Sequence, residues 1–162
     1  MNDGQETRAD GAVKLSLARS SRRTILVVDD DEIVLDYVAS VLTGAGYHVM
    51  TAHGPELALY VAEHYPGGCD LLVTDYQMPN VDGIELAKRL IETWPTLAVL
   101  VMSGRDRDEI PLPKNAGFIQ KPFRPSDLLT LVVEFISTSD LPDRLPIQSE
   151  LEPRSNEKRK VS

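Results

Sequence analysis

Carboxylates, a hydroxyl and a lysine stand where short apolar runs of this chain stop. Ile25-Leu26-Val27-Val28 runs into Asp29-Asp30-Asp31-Glu32, and Leu71-Leu72-Val73-Thr74 runs into Asp75. Leu97 to Met102 ends at Ser103, and Gly117-Phe118-Ile119-Gln120 ends at Lys121-Pro122. If these runs are strands of one open parallel sheet, their C-terminal ends share an edge, and ligands bind at such edges. Side chains far apart in sequence would then meet in one acidic pocket holding one ammonium and one hydroxyl. Those parts suit a divalent cation, which takes oxygen ligands, together with a phosphoryl group.

Each part taken singly has a plainer explanation. Acidic residues favour helix N-termini through capping and the helix dipole, which accounts for Asp31 and Glu32. It accounts less well for Asp29 and Asp30 on the end of a buried strand, where like charges resist joint ionisation. A bound Mg²⁺ would relieve that repulsion. Asn80, Asp82 and Gly83 after Asp75 fit an ordinary turn-rich loop. Ser103-Gly104 could be a plain strand exit and Lys121-Pro122 a charged residue before a turn. The combination, in order and at the ends of separate strand-like runs, carries the weight.

The elements that must position these residues alternate in type. Glu32 to Thr43 sets Val34, Leu35, Val38, Val41 and Leu42 at helical spacing, with Gly44 and Gly46 as its stop. Tyr47 to Ala52 reads as an edge-like strand, and Pro55 to Tyr65 as a helix with proline in its first turn. Leu71 to Thr74 and Leu97 to Met102 are apolar throughout, as central strands buried on both faces are. Asp82 to Thr93 is a third helix. Ser126 to Ser137, entered through Pro125, is the last, its core face being Leu128, Leu129, Val132, Val133 and Ile136. Between Gly104 and Ala116, Pro111 and Pro113 permit only a loop or a stub of helix near Arg105 to Glu109. Strand and helix in alternation indicate an α/β fold with a parallel sheet.

Size and charge limit the options further. A chain of 162 residues suffices for one domain with an ordinary core. Residues 24–137 carry 17 acidic and 7 basic side chains, a net of −10, so direct nucleic acid binding by this region is not expected. Basic residues gather instead at the ends, in Arg19, Arg22 and Arg23 and in Lys158-Arg159-Lys160. No apolar run approaches the roughly 20 residues of a membrane helix, and the polar start lacks a signal-peptide pattern. Cys69 is the sole cysteine, which rules out an internal disulfide; together these point to a cytoplasmic protein. Residues 1–22 read as a flexible arm. Residues 138–162, with Pro142, Pro146 and Pro153, read as a polar tail too short for an output domain.

Val27-Val28-Asp29-Asp30-Asp31, Asp75-Tyr76-Gln77-Met78-Pro79-Asn80-Val81-Asp82-Gly83, Met102-Ser103-Gly104 and Lys121-Pro122-Phe123 together resemble the receiver domain of two-component response regulators. The resemblance runs over residues 23–137. It implies a doubly wound, five-stranded parallel sheet of flavodoxin-like order 2-1-3-4-5, here with a shortened or irregular fourth helix. It implies that Asp75 accepts a phosphoryl group from a histidine kinase or histidine phosphotransfer protein. Asp29, Asp30 and Asp75, with the Gln77 backbone carbonyl, would hold Mg²⁺, with Asp29 acting partly through water. Lys121 would pair with the phosphoryl oxygens, Ser103 and Phe118 would switch, and Gln77 and Arg105 would modulate the lifetime of the phosphorylated form.

Two departures from the family pattern stand out. Only seventeen residues separate Ser103 from Lys121, and the shortfall falls on the fourth helix, as in receivers appended to hybrid histidine kinases. The face on which many receivers dimerise is thereby put in doubt. Arg124 also stands where a capping Ser, Thr or Asp would be usual. The reading is a stand-alone, non-enzymatic receiver that signals to an unknown downstream protein by phosphorylation-dependent contact, without membrane association. A phosphate sink and a receiver that works without phosphorylation remain alternatives. A phosphohydrolase of the haloacid dehalogenase type is a distant one, because Gln77 stands where that family has its second acid.

Overall fold

The computed structural model describes residues 22–138; the expected arm and tail lie almost wholly outside the described residues. Five strands form one parallel sheet: β1 Thr24–Val28, β2 His48–Ala52, β3 Leu71–Asp75, β4 Ala98–Ser103 and β5 Gly117–Gln120. Their order is β2-β1-β3-β4-β5, the expected one. Four helices accompany them: α1 Glu32–Gly44, α2 Pro55–His64, α3 Gly83–Thr93 and α4 Pro125–Thr138. The expected boundaries differ from these by at most one residue at either end.

Strand alternation sorts the core into two layers. Ile25, Val27, Leu71, Val73, Leu100 and Met102 face Leu35, Val38 and Leu42 of α1 and Leu128, Val132 and Ile136 of α4. Leu26, Val28, Leu72, Val99 and Val101 face Ala58 and Ala62 of α2 and Leu86, Ala87, Leu90 and Ile91 of α3. Burial on both sides is why the central strands read as unbroken apolar runs. Val34 and Val41, which share the helical spacing of α1, are only half-buried. Val133, expected on the core face of α4, is 55% exposed.

Helix ends follow their local chemistry. The Asp31 carboxylate accepts from the Ile33 and Val34 amides at the start of α1. At its end Gly46, with φ +95°, lets the Tyr47 amide reach Leu42 O and its own amide reach Thr43 O. That paired closure is the left-handed helix stop for which glycine is suited. Arg124 offers no capping side chain; the Asp127 and Leu128 amides donate to Arg124 O, and Asp127 Oδ2 accepts from the Arg124 amide at 3.1 Å. An acid three residues into a helix satisfies the cap's own N–H in this way.

Between β4 and β5 there is no α-helix, only a 3₁₀ turn over Arg107–Glu109. Ile110, Pro113 and Ala116 of this connection are nevertheless buried. Leu112 and Ala116 pack with the α2/α3 layer. The stub therefore covers part of the sheet that a helix would otherwise cover. Proline at 111 and 113 prevents the continuous backbone ladder of an α-helix.

Candidate functional site

Register brings the strand ends level. Val28 pairs with Thr74, so Asp29 and Asp75 each lie at the adjoining ends of β1 and β3. Asp75 pairs with Met102, and Ser103 pairs with Gln120. Lys121 thus follows β5 two strands away from Asp75 and three from Asp29, and its side chain must cross over β4. It does so. Lys121 Nζ donates to Asp29 Oδ2 and to Asp75 Oδ1, both at 2.8 Å. A shorter basic side chain on an edge strand could not span rows about 4.8 Å apart.

Both carboxylates are nearly out of water, Asp29 at 1% and Asp75 at 7% exposure, while Asp30 is exposed. Asp29 Oδ1 also accepts from the Asp31 amide at 2.9 Å, so both of its oxygens are engaged. Burial pushes the Asp75 pKa up, the hydrogen bond and charge of Lys121 push it down, and Asp29 and Asp30 add to the rise; the net direction is upward. Burial lowers the Lys121 pKa, yet hydrogen bonds to Asp29 and Asp75 and their charges raise it above the usual lysine value. The two upward shifts are compatible because Asp75 is buried and shares the Lys121 ammonium with Asp29. The cation gains more than one partner, whereas Asp75 has only a share of one.

Carboxylate oxygens of Asp29, Asp30 and Asp75 lie within 4.8 Å of one another. Three ionised carboxylates and one ammonium leave a formal charge of −2, which a divalent cation offsets. Oxygen-only donors at this spacing fit Mg²⁺, whose ligands stand about 2.0–2.1 Å from the ion and which retains several waters. The residues present therefore fit the ion.

Ser103 is 1% exposed. Its hydroxyl oxygen accepts from the Arg105 amide at 3.0 Å, and its carbonyl accepts from the Lys121 amide at 2.7 Å. The two strand exits that carry the hydroxyl and the ammonium are thus tied together. Gln77 and Arg105 are exposed on the loops after β3 and β4, and Phe118 is half-buried on β5. Phe118 lies away from the carboxylates along the strand, before the site edge.

An apolar groove lies beside the site, on the first-helix face between Glu32 and Val38. Val34, Tyr37, Lys121, Pro122 and Phe123 line the groove, which opens next to the carboxylates. Tyr37 and Phe123 have ring centroids 6.1 Å apart, and the Tyr37 hydroxyl donates to Phe123 O at 3.4 Å. Ile33, one turn before Tyr37, is 81% exposed. The available signal was Ile33 and Tyr37 at i, i+4 with Val34 between them, a second apolar stripe on α1 beyond the one the core uses.

Known proteins resemble this chain. The model of the response regulator receiver domain family matches residues 25–133. A two-component response regulator of Arabidopsis thaliana, ARR21, is 37% identical over 113 residues, spanning 68% of this chain and 18% of that protein. The sensor kinase CckA of Brucella abortus is 31% identical over 148 residues, spanning 84% of this chain and 16% of that protein. The chain thus spans under a fifth of the length of either relative. The crystal structure of the receiver domain from the hybrid histidine kinase CckA superposes with a TM-score of 0.62 at 32% identity, covering 70% of this chain and 98% of that one. Fold, edge geometry and these matches agree: the chain belongs to the response regulator receiver domain family of two-component signalling.

Proposed function

We propose that this protein takes a phosphoryl group onto Asp75 from a phosphohistidine of a sensor kinase or histidine phosphotransfer protein. The observation that carries this reading is the lysine bridge, which holds the buried Asp75 carboxylate at 2.8 Å and leaves it beside two further acids. The donor's N–P bond breaks as a bond forms from an Asp75 carboxylate oxygen to phosphorus. The electron pair leaves with the imidazole nitrogen, which is then protonated from the donor's surroundings.

Asp29, Asp30 and Asp75, with the Gln77 carbonyl, would hold Mg²⁺, which when bound offsets charge on the phosphoryl oxygens. Lys121 turns from its carboxylate partners toward those oxygens as they arrive. Ser103 exchanges the Arg105 amide for the phosphoryl group and draws its loop inward, and Phe118 changes burial in response. Gln77 and Arg105 flank the acceptor and set how fast water removes the group. The domain is a switch rather than a turnover enzyme, because Gln77 offers no acid to protonate a leaving alcohol. Its acidic surface disfavours nucleic acid. Output therefore goes to a downstream protein, in the cytoplasm, with the Ile33–Tyr37 face of α1 as the contact surface.

Labelling by acetyl phosphate tests the reading. One acid-stable, base-labile phosphoryl group should appear in the presence of Mg²⁺, and none in Asp75→Asn. Full labelling of Asp75→Asn, or undiminished labelling in EDTA, sinks the mechanism.

A further inference from the structure

Gly83 is the first residue of α3, and its backbone conformation is not one that requires glycine. Its surroundings do. A Cβ at this position would collide with the Asp75 carbonyl oxygen, and would lie 3.2 Å from the Asp75 carbonyl carbon and 3.0 Å from Thr74 Cγ2. An ordinary C···O approach is about 3.3 Å or more, so an alanine would force a displacement on the order of 1 Å.

Neither side is free to yield. Asp75 ends a central strand whose neighbours are β1 and β4. Its carbonyl accepts from Thr74 Oγ1 at 3.0 Å. The residue after it is held at both ends: the Tyr76 amide donates to Met102 O at 2.8 Å, and Tyr76 O accepts from the Gly83 amide at 2.9 Å. The opening turn of α3 is held by Asp82, whose carboxylate accepts from the Ile84 and Glu85 amides at 2.9 and 2.8 Å. The main chain of Asp75 therefore rests directly against the first Cα of α3.

We propose that Gly83 is a positioning residue. Its bare Cα sets the depth at which the Asp75 carboxylate meets Lys121 and stands within reach of Asp29 and Asp30. The catalytic consequence rests on Asp75 being the phosphoryl acceptor; the geometric one does not.

The test uses the full chain as Gly83→Ala, with Gly117→Ala as control. A Cβ at Gly117 meets the Phe135 ring at 2.6 Å and Leu100 Cδ1 at 2.9 Å, a clash with side chains that do not belong to the site. Three readouts are taken at a temperature where circular dichroism shows both variants folded: the metal-free ¹³C carboxyl resonance of Asp75, Mg²⁺ affinity, and the initial rate of labelling by acetyl phosphate. Gly83→Ala should move the resonance, weaken Mg²⁺ several-fold and slow labelling by roughly 10- to 100-fold, as misplacement of a reacting group by about 1 Å does. Gly117→Ala should lower the melting temperature and leave all three unchanged. A folded Gly83→Ala with wild-type resonance and Mg²⁺ affinity overturns the proposal, as does a Gly117→Ala that shifts them equally. If wild type takes no label while Gly83→Ala still moves the resonance, the acceptor reading falls and the positioning role stands. Should Gly83→Ala not fold in buffer, it is compared with wild type in trimethylamine N-oxide, which favours the compact state; an unmoved Asp75 resonance there overturns the proposal.

Discussion

Replacing Lys121 by methionine keeps the aliphatic length of the side chain and deletes its charge, stranding two carboxylates that are 1% and 7% exposed. Breaking a buried ion pair from one side costs about 3–5 kcal/mol. The lysine side chain is itself 24% exposed, and solvent screening brings the expected loss to about 3 kcal/mol at pH 8. A stranded carboxylate can escape that loss by binding a proton, at about 1.4 kcal/mol per pH unit above its ordinary pKa of about 3.9. At pH 8 this escape is too costly to help; at pH 5 it caps the loss at about 1.5 kcal/mol. The sign follows from the raised Asp75 pKa. A carboxyl that holds its proton more tightly when folded contributes stability below its ordinary value, and loses it as pH rises through the folded value. Methionine removes the Lys121 influences that lower that value, so the window widens upward and the variant's deficit grows with pH. The contribution from the raised Lys121 pKa is constant over this range, being lost only above the usual lysine value. Urea unfolding of both proteins in EDTA at pH 5 and pH 8 measures the difference. Equal deficits at the two pH values, or a variant more stable than wild type at pH 8, would refute the shared-ammonium account.

Asp30→Ala should raise the metal-free melting temperature slightly, by removing a like charge near Asp29 and Asp75, and should lose the Mg²⁺-induced rise expected of a ligand that binds only the folded state. Thermal melts with and without Mg²⁺ decide this, and an equal Mg²⁺ response in both proteins removes Asp30 from the site. Because a 3₁₀ turn replaces the helix between β4 and β5, the beryllofluoride-treated protein should remain monomeric in light scattering. A tight dimer with contacts at residues 104–116 would show that the short connection suffices as an interface.

Most of the architecture was legible because its signals are local. Apolar runs without alternation marked β3 and β4 as central strands, helical spacing marked α1 and α4, and Pro111 and Pro113 foretold the stub after Ser103. The residues at the strand ends could be named for the same reason: in a parallel sheet, being last in a strand is enough to lie on the binding edge. What could not be read are contacts between elements distant in sequence. That Lys121 bridges Asp29 and Asp75 at once, rather than reaching one of them, depends on the register of β5 against β4 and of β4 against β3. That Asp127 would reach back to the Arg124 amide was not read either, since it depends on the path of the chain entering the helix. Gly83 passed for a turn former, since composition records a missing side chain but not the Asp75 carbonyl that occupies its place. Ile33 and Tyr37 shared a helical spacing with the core residues of α1, and only the docking of α1 on the sheet decided which stripe faces water. Periodicity fixes which residues share a face; the packing of one element on another selects the face and brings the charges together.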